Sequence, residues 1–192
     1  MWEQSKSTKR RFNDGHFHNK YFVGHGIDIG AGPDTLGRYK HVFRQMGQVD
    51  RWDLEHGDAQ YMATVPDNTY DFVVSSHCFE HMVDPYAALE NWIRIVKPGG
   101  YIIITIPEEF LYERGIWPSV NNTDHKFSFS IHKTKLNMPQ HISVMELLLT
   151  FNNISVRKLE LIDDVFNEND PTDQTAFIIC ESAIEIILQK DK

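Results

Sequence analysis

Cysteine is scarce. The chain has two, Cys78 and Cys180, each in an apolar stretch and with no CxxC pair. That argues against a disulfide framework and fits a reducing, cytoplasmic setting. Positive charge is also short. Lys and Arg total 19 against 27 Asp and Glu, a formal net charge of -8. Sequence-independent binding to nucleic acid needs the opposite balance, so no nucleic-acid partner is expected. The one basic run, Lys9-Arg10-Arg11, reads as part of a solvated N-terminal arm. No apolar run is long enough to span a bilayer, and Met1–Lys6 lacks the apolar core of a signal peptide, so no membrane partner is expected. A nucleophile elbow of the Gly-x-Ser-x-Gly kind is missing, as are repeats and low-complexity tracts.

What remains is an ordinary globular composition, 41% hydrophobic and 24% charged over 192 residues. That length suits one domain with a substantial core. Residues 1–20 are polar and basic and read as an arm. Tyr21–Ile29 reads as a strand ending in Gly-Ala-Gly-Pro. Thr35–Met46 is compatible with a helix, and Val49–Leu54 with a second strand. Tyr70–Ser75 is a β-branched run after a turn signal, which predicts a buried strand. Pro85–Val96 places Tyr86, Leu89, Ile93 and Val96 on one helical stripe, stopped at Lys97-Pro98-Gly99-Gly100. Tyr101–Ile106 is another strand. These strands are apolar without alternation, as when helices cover both faces. The β-α-β-α rhythm predicts a doubly wound, mostly parallel α/β sheet.

Residues 108–137 break that rhythm. They are rich in aromatics, His and Asn without a period, and are read as a substrate-side wall or lid. Beyond them, His141–Phe151 is predicted helical and Ser155–Leu161 extended. Ala176–Cys180 fits helix or strand, and Ile184–Leu188 is read as the last strand.

Three motifs carry chemistry. In Gly26-Ile27-Asp28-Ile29-Gly30-Ala31-Gly32-Pro33-Asp34, a strand runs into a glycine turn that lets a ligand approach the backbone. The following helix is expected to point its free N–H groups at that ligand. About 20 residues on, where nucleotide-binding α/β folds place a ribose-binding acid, stand Asp50 and Asp53. The second motif is Gly57-Asp58-Ala59, a carboxylate beside a small residue at the ligand edge of the sheet. The third is Tyr70–Pro85, a buried strand running into Ser75, Ser76, His77, Cys78, Phe79, Glu80 and His81.

In this order, GIDIGAG, the acid after strand two, GDA, YDFVVSSHCFEHMVDP and KPGGYIIITIP resemble the class I S-adenosylmethionine-dependent methyltransferases, most closely the methyltransferase-11 type. The resemblance covers residues 21–107, with the last third similar in topology only. It implies a Rossmann-like sheet of seven strands with the last antiparallel. It implies S-adenosylmethionine as cofactor and S-adenosylhomocysteine as product. Asp28, Gly30, Ala31 and Gly32 would line the methionine end, Asp53 the ribose, and Asp58 and Ala59 the adenine. Ser75, Ser76 and His77 would lie near the sulfonium. Asp34 stands where a dinucleotide site wants a third glycine. The WPSVNNTDHKFSF string resembles a subgroup of small bacterial methyltransferases.

The expected reaction is methyl transfer to an oxygen or nitrogen of a small molecule such as a sugar, a glycan precursor or another metabolite. His77, His81 and His125 are the candidate bases, with His132 behind them; each also reads as an ordinary capping, cofactor-side or loop histidine. His77 and His81 have the i,i+4 spacing of a metal pair, but the frame is not HExxH, and no metal ligand is assigned. Two alternatives stay open: a non-catalytic cofactor-binding regulatory subunit, and a nicotinamide-dependent oxidoreductase on a similar sheet. Oligomeric state leaves no signal.

Overall fold

A computed structural model describes residues 3–132 and 139–192. Residues 1–2 of the predicted arm and 133–137 of the predicted insertion lie outside the described residues. In chain order the elements are α1 (Glu3–Arg11), β1 (Gly24–Ile29), β2 (Met46–Trp52), β3 (Tyr70–Ser76), α2 (Pro85–Ile95) and β4 (Val96–Pro107). Then come β5 (Ser128–Ser130), β6 (His141–Ser143), α3 (Val144–Leu148), β7 (Ile154–Ile162) and β8 (Ala183–Lys190). The main sheet has the order β2-β1-β3-β4-β8-β7. Strands β2, β1, β3 and β4 are parallel, and β8 runs antiparallel to both its neighbours. The last strand is therefore antiparallel, as expected. Among the described residues the sheet has six strands rather than seven, because the stretch between Trp52 and Tyr70 forms turns and no strand.

The unbroken apolar character of the strands follows from burial on both faces. Val73, Ile102, Ile104, Ile186 and Leu188 share one core with Leu89, Trp92 and Ile93 of α2. Phe72, Val74, Ile103 and Ile187 face a second core built from Phe17, Phe22, Leu36 and Phe43. Helix α2 starts where Asp84 accepts the N–H groups of Tyr86 and Ala87, with Pro85 in the first turn. Such a cap is worth about 1 kcal/mol. Within the predicted stripe, Leu89, Ile93 and Val96 are buried, while Tyr86 is exposed.

Other expectations also need correction. Thr35–Met46 forms a 3-10 turn at Leu36–Tyr39 followed by further turns, not a helix. It buries Leu36 and Phe43, but its glycine and aromatic or β-branched residues are modest helix formers. Of the predicted helix at His141–Phe151, only Val144–Leu148 is helical. Its start pairs as β6 with β5, Ile142 opposite Phe129. The ambiguous Ala176–Cys180 is mostly turn, preceded by a 3-10 turn at Gln174–Ala176.

The N-terminal arm is the largest correction. It forms α1 and then a π-helical turn at Phe17–Tyr21, and it supplies part of the second core. The basic run is solvated only at Lys9. Arg11 is fully buried, with Nη2 donating to Glu185 Oε2 at 2.6 Å and to Thr105 Oγ1 at 3.0 Å. Its guanidinium lies 5.0 Å from the Phe17 ring centroid. Arg10 donates to Glu181 and Glu185. Burial alone would raise the Glu185 carboxyl; Arg11, Arg10 and Lys158 outweigh it and hold it far below the ordinary range.

Candidate active site

The glycine loop begins where β1 ends. Gly30 has φ +74° and Gly32 φ +51°, a region that disfavours side chains. At Gly30 a Cβ would also overlap the Cys78 side chain, whereas at Gly32 it would meet open space. The loop's N–H groups are not free for a ligand. Gly30 and Ala31 donate to the Trp52 carbonyl at 2.9 and 3.3 Å. Gly32 donates to Asp53 Oδ2 at 3.0 Å. No α-helix follows the loop, and the Leu36 N–H goes to Asp28 Oδ2 at 2.6 Å. The expected helix terminus aimed at a ligand is thus absent, and the loop is no phosphate cradle.

Two cavities meet at this loop. The larger, about 590 Å³, is lined by Gly30, Asp53, Asp58, Ala59, Cys78, His77 and His81, with Asp124 from the insertion. The smaller, about 210 Å³, is lined by Asp28, Gly30, Ala31, Gly32, Ser76 and His77, with Glu3 and Gln4 from α1. Gly30 and His77 belong to both, so the two form one elongated cleft at the carboxyl ends of β1 and β3. That is where open α/β sheets take ligands. The combined space suits a small molecule.

Most of the predicted residues are therefore together. Asp53 lines the larger cavity, its carboxylate already accepting from Gly32, Leu54 and Arg51. Asp50, the other ribose candidate, accepts instead from Gln48 and Tyr70 and pairs with His25, and it lines neither cavity. Ser75 is fully buried and donates to the Ile29 carbonyl at 3.1 Å, tying β3 to β1 and not facing the cleft. His132 is exposed and lies outside both cavities.

The smaller cavity fits the methionine end of S-adenosylmethionine. Both amide atoms of Gln4, Glu3 Oε2, Ser76 Oγ and His77 Nε2 are buried without hydrogen-bond partners. An ammonium and a carboxylate there would supply the donors and acceptors these atoms lack. Burial pushes the Asp28 carboxyl up to about 6 against the bonds from Leu36 and Thr35. At His77, in the left-handed region at φ +52°, burial alone would lower the imidazole; Glu80, Glu3 and Glu181 outweigh it and hold it above the ordinary range.

The three candidate histidines converge on one carboxylate. Glu80 is fully buried. Its Oε1 lies 3.5 Å from His77 Nδ1, 3.8 Å from His125 Nε2 and 4.0 Å from His81 Nε2. The 3.5 Å separation is long for a hydrogen bond, and we read it as a charge contact. Burial would raise Glu80; the neighbouring His77, His81 and His125 bring it below the ordinary range. His81 Nδ1 is 3.0 Å from Asp124 Oδ2, and His125 Nδ1 is 2.6 Å from Glu113 Oε1. Phe79–His81 is a 3-10 turn, so His77 and His81 do not share an α-helical face.

Sequence reasoning missed Glu80 and Glu113, two buried acids, and the contribution of Glu3 and Gln4. It also missed the use of Asp34. Asp34 accepts from the Ser5 N–H at 2.8 Å, the Ser5 hydroxyl at 2.6 Å and Tyr39 at 2.6 Å. In place of a third glycine it anchors the first turn of α1 over the loop.

Comparison with known proteins bears on the family and the fold. A methyltransferase domain family matches residues 17–104. A demethylmenaquinone methyltransferase of a Geobacillus species is 32% identical over 79 residues, 41% of this chain and 32% of that protein. An uncharacterised methyltransferase of Schizosaccharomyces pombe is 45% identical over 42 residues, 22% of this chain and 15% of that protein. The matched stretches thus span a third or less of these curated relatives. The crystal structure of a SAM-dependent methyltransferase from Archaeoglobus fulgidus shares the fold, with TM-score 0.56 and 16% identity over 97% of this chain and 92% of that one. The family match over the first half and a shared architecture over nearly the whole length converge: residues 17–104 are similar to the methyltransferase domain family, and the chain shares the fold of S-adenosylmethionine-dependent methyltransferases.

Proposed function

We propose that the chain transfers the methyl group of S-adenosylmethionine to an oxygen or nitrogen of a small-molecule acceptor. The observation that carries this reading is the composition of the larger cavity. Asp53, Asp58 and Ala59 line it together with His81 and Asp124, so a nucleoside end and an acceptor would share one space beside the histidine cluster.

The cofactor, when bound, supplies a methyl carbon activated by a sulfonium. The protein's part is placement and proton handling. Asp53 would accept the ribose hydroxyls, and Asp58 would accept from the adenine amino group with Ala59 leaving room for the ring. Asp28, Gln4 and Ser76 would hold the methionine end. An acceptor held in the larger cavity would take the methyl group, and the electron pair of the carbon–sulfur bond would leave with S-adenosylhomocysteine. The acceptor proton would leave to His77 or His81, which line the cleft, with His125 behind them through Glu80. Alignment of that kind is worth several kcal/mol of barrier. Residues 108–132 close one side, since Lys126 N donates to the Glu80 carbonyl at 2.9 Å and seats the insertion on the turn that carries His81.

The cavity's size and the net charge of -8 support a small acceptor rather than a nucleic acid. Calorimetric titration with S-adenosylmethionine, S-adenosylhomocysteine and NAD tests the cofactor. Binding of NAD alone overturns the reading in favour of an oxidoreductase. Incubation of cell extract with methyl-labelled cofactor then identifies the acceptor; cofactor binding with no labelled product would leave the regulatory-subunit reading standing.

A further inference from the structure

Glu80 poses a problem that the methyl-transfer chemistry does not resolve. Its side chain is fully buried, and neither carboxylate oxygen has a hydrogen-bond partner. An unpartnered buried carboxylate is costly. Around it stand two imidazoles whose outward nitrogens are already engaged, His81 Nδ1 by Asp124 and His125 Nδ1 by Glu113. With Nδ1–H donated to those carboxylates, the Nε2 of each ring faces Glu80. Positive charge is needed there, either as protons on the two Nε2 atoms or as a metal ion held between them and the carboxylate.

We propose that Glu80, His81 and His125 form a binding site for a divalent first-row transition metal. One donor atom from each lies within 4.8 Å of the others. Ligand bonds of about 2.1 Å would draw tetrahedral donors to roughly 3.4 Å apart, so the carboxylate and each imidazole must close from the 3.8 and 4.0 Å seen here and the two imidazoles from within 4.8 Å of one another. Two imidazoles and one carboxylate are a recognised donor set for zinc, iron and related ions. The outer carboxylates complete the arrangement by which metal-binding histidines are oriented and made more basic. Glu113 is buried with His125, while His81 is partly exposed and lines the larger cavity, which gives an ion a route in and an open coordination position facing the cleft. The ion's role rests on the methyl-transfer reading. With the ion bound, His81 would serve as a ligand and not as the base: an acceptor hydroxyl on the ion would lose its proton to solvent at lower pH, and its oxygen would take the methyl group while the carbon–sulfur electron pair leaves with S-adenosylhomocysteine.

The test is metal binding by the full chain after chelator treatment, with zinc and cobalt(II) as probes. Expected are one ion per chain by elemental analysis and cobalt d–d absorption bands showing nitrogen and oxygen ligands. His81→Ala and His125→Ala should each weaken binding at least 100-fold. His25→Ala, outside the cluster, should leave it unchanged. Should His125→Ala fail to fold, Asp124→Ala keeps the proposal open to refutation: Asp124 is exposed on the surface, and its loss should weaken binding about 10- to 100-fold. No stoichiometric binding by the wild type overturns the proposal, as does binding that survives His81→Ala or falls equally in His25→Ala. Cofactor titration of the same metal-free sample tests the methyl-transfer reading separately, so either can fail without the other.

Discussion

Gly32 donates its backbone N–H to the Asp53 carboxylate at 3.0 Å, so the glycine loop and the acid at the end of β2 are one unit. Asp53→Ala should remove both a ligand contact and a support of the loop. Calorimetry should show cofactor affinity reduced at least tenfold, with Asp50→Ala near wild type. Asp53→Asn, which retains an acceptor for Gly32, should fall between. The opposite ranking of Asp50 and Asp53 would refute the ribose assignment.

Asp28 should link cofactor affinity to pH. Its folded value is raised from 3.8 to about 6. The folded chain therefore holds this proton more tightly than the unfolded chain does. The stability this contributes is complete below about pH 4 and is lost as pH rises through about 6, amounting to about 3 kcal/mol. A bound ammonium favours the ionised form, so cofactor affinity should drop by up to tenfold per unit below about pH 6. Asp28→Asn should raise the melting temperature at pH 7 while weakening and flattening the binding profile. A profile equally steep in Asp28→Asn would assign the titration elsewhere.

The Arg11–Glu185 pair should behave as a buried ion pair. Glu185 is held far below its ordinary value, so its contribution is present above about pH 4.5 and fades as pH falls. Arg11→Met removes the buried partner of Glu185, leaving Arg10 and Lys158 to compensate it, and should cost less than the about 3–5 kcal/mol of a fully broken buried pair. Replacing both, with Glu185→Leu, should recover most of that loss in denaturant unfolding. Full additivity of the two changes would show that they do not interact.

Asp34→Ala should release the first turn of α1 without disturbing the sheet. Loss of its three accepted hydrogen bonds should cost about 1–3 kcal/mol. Amide exchange should quicken over residues 3–11. Because Glu3 and Gln4 wall the smaller cavity, cofactor affinity should fall as well. Unchanged exchange over α1 would contradict the anchoring role.

His125→Ala should lower turnover while leaving cofactor affinity near wild type, since His125 lines neither cavity and acts through Glu80 and Glu113. Equal loss of both would place its effect on the cofactor site instead.

The sequence by itself determined the strands β1, β3 and β4, the glycine turn and the order of acids after it. These are local properties: β-branched apolar runs form strands wherever both faces are covered, and a ligand-edge loop must follow a parallel strand. Helix α1 was illegible because its buried face is polar. Lys6, Ser7, Thr8 and Arg11 are its inward residues, and they carry no apolar period. Their partners Thr175, Glu181 and Glu185 lie at the far end of the chain. The histidine cluster was illegible for a related reason. Each histidine stood singly among ordinary alternatives, and nothing in the local pattern marks Glu80 or Glu113 as buried. Only the folding of residues 108–132 over the sheet edge brings His125 to Glu80, because burial and the charges that compensate it are set by tertiary contacts, not by sequence neighbours.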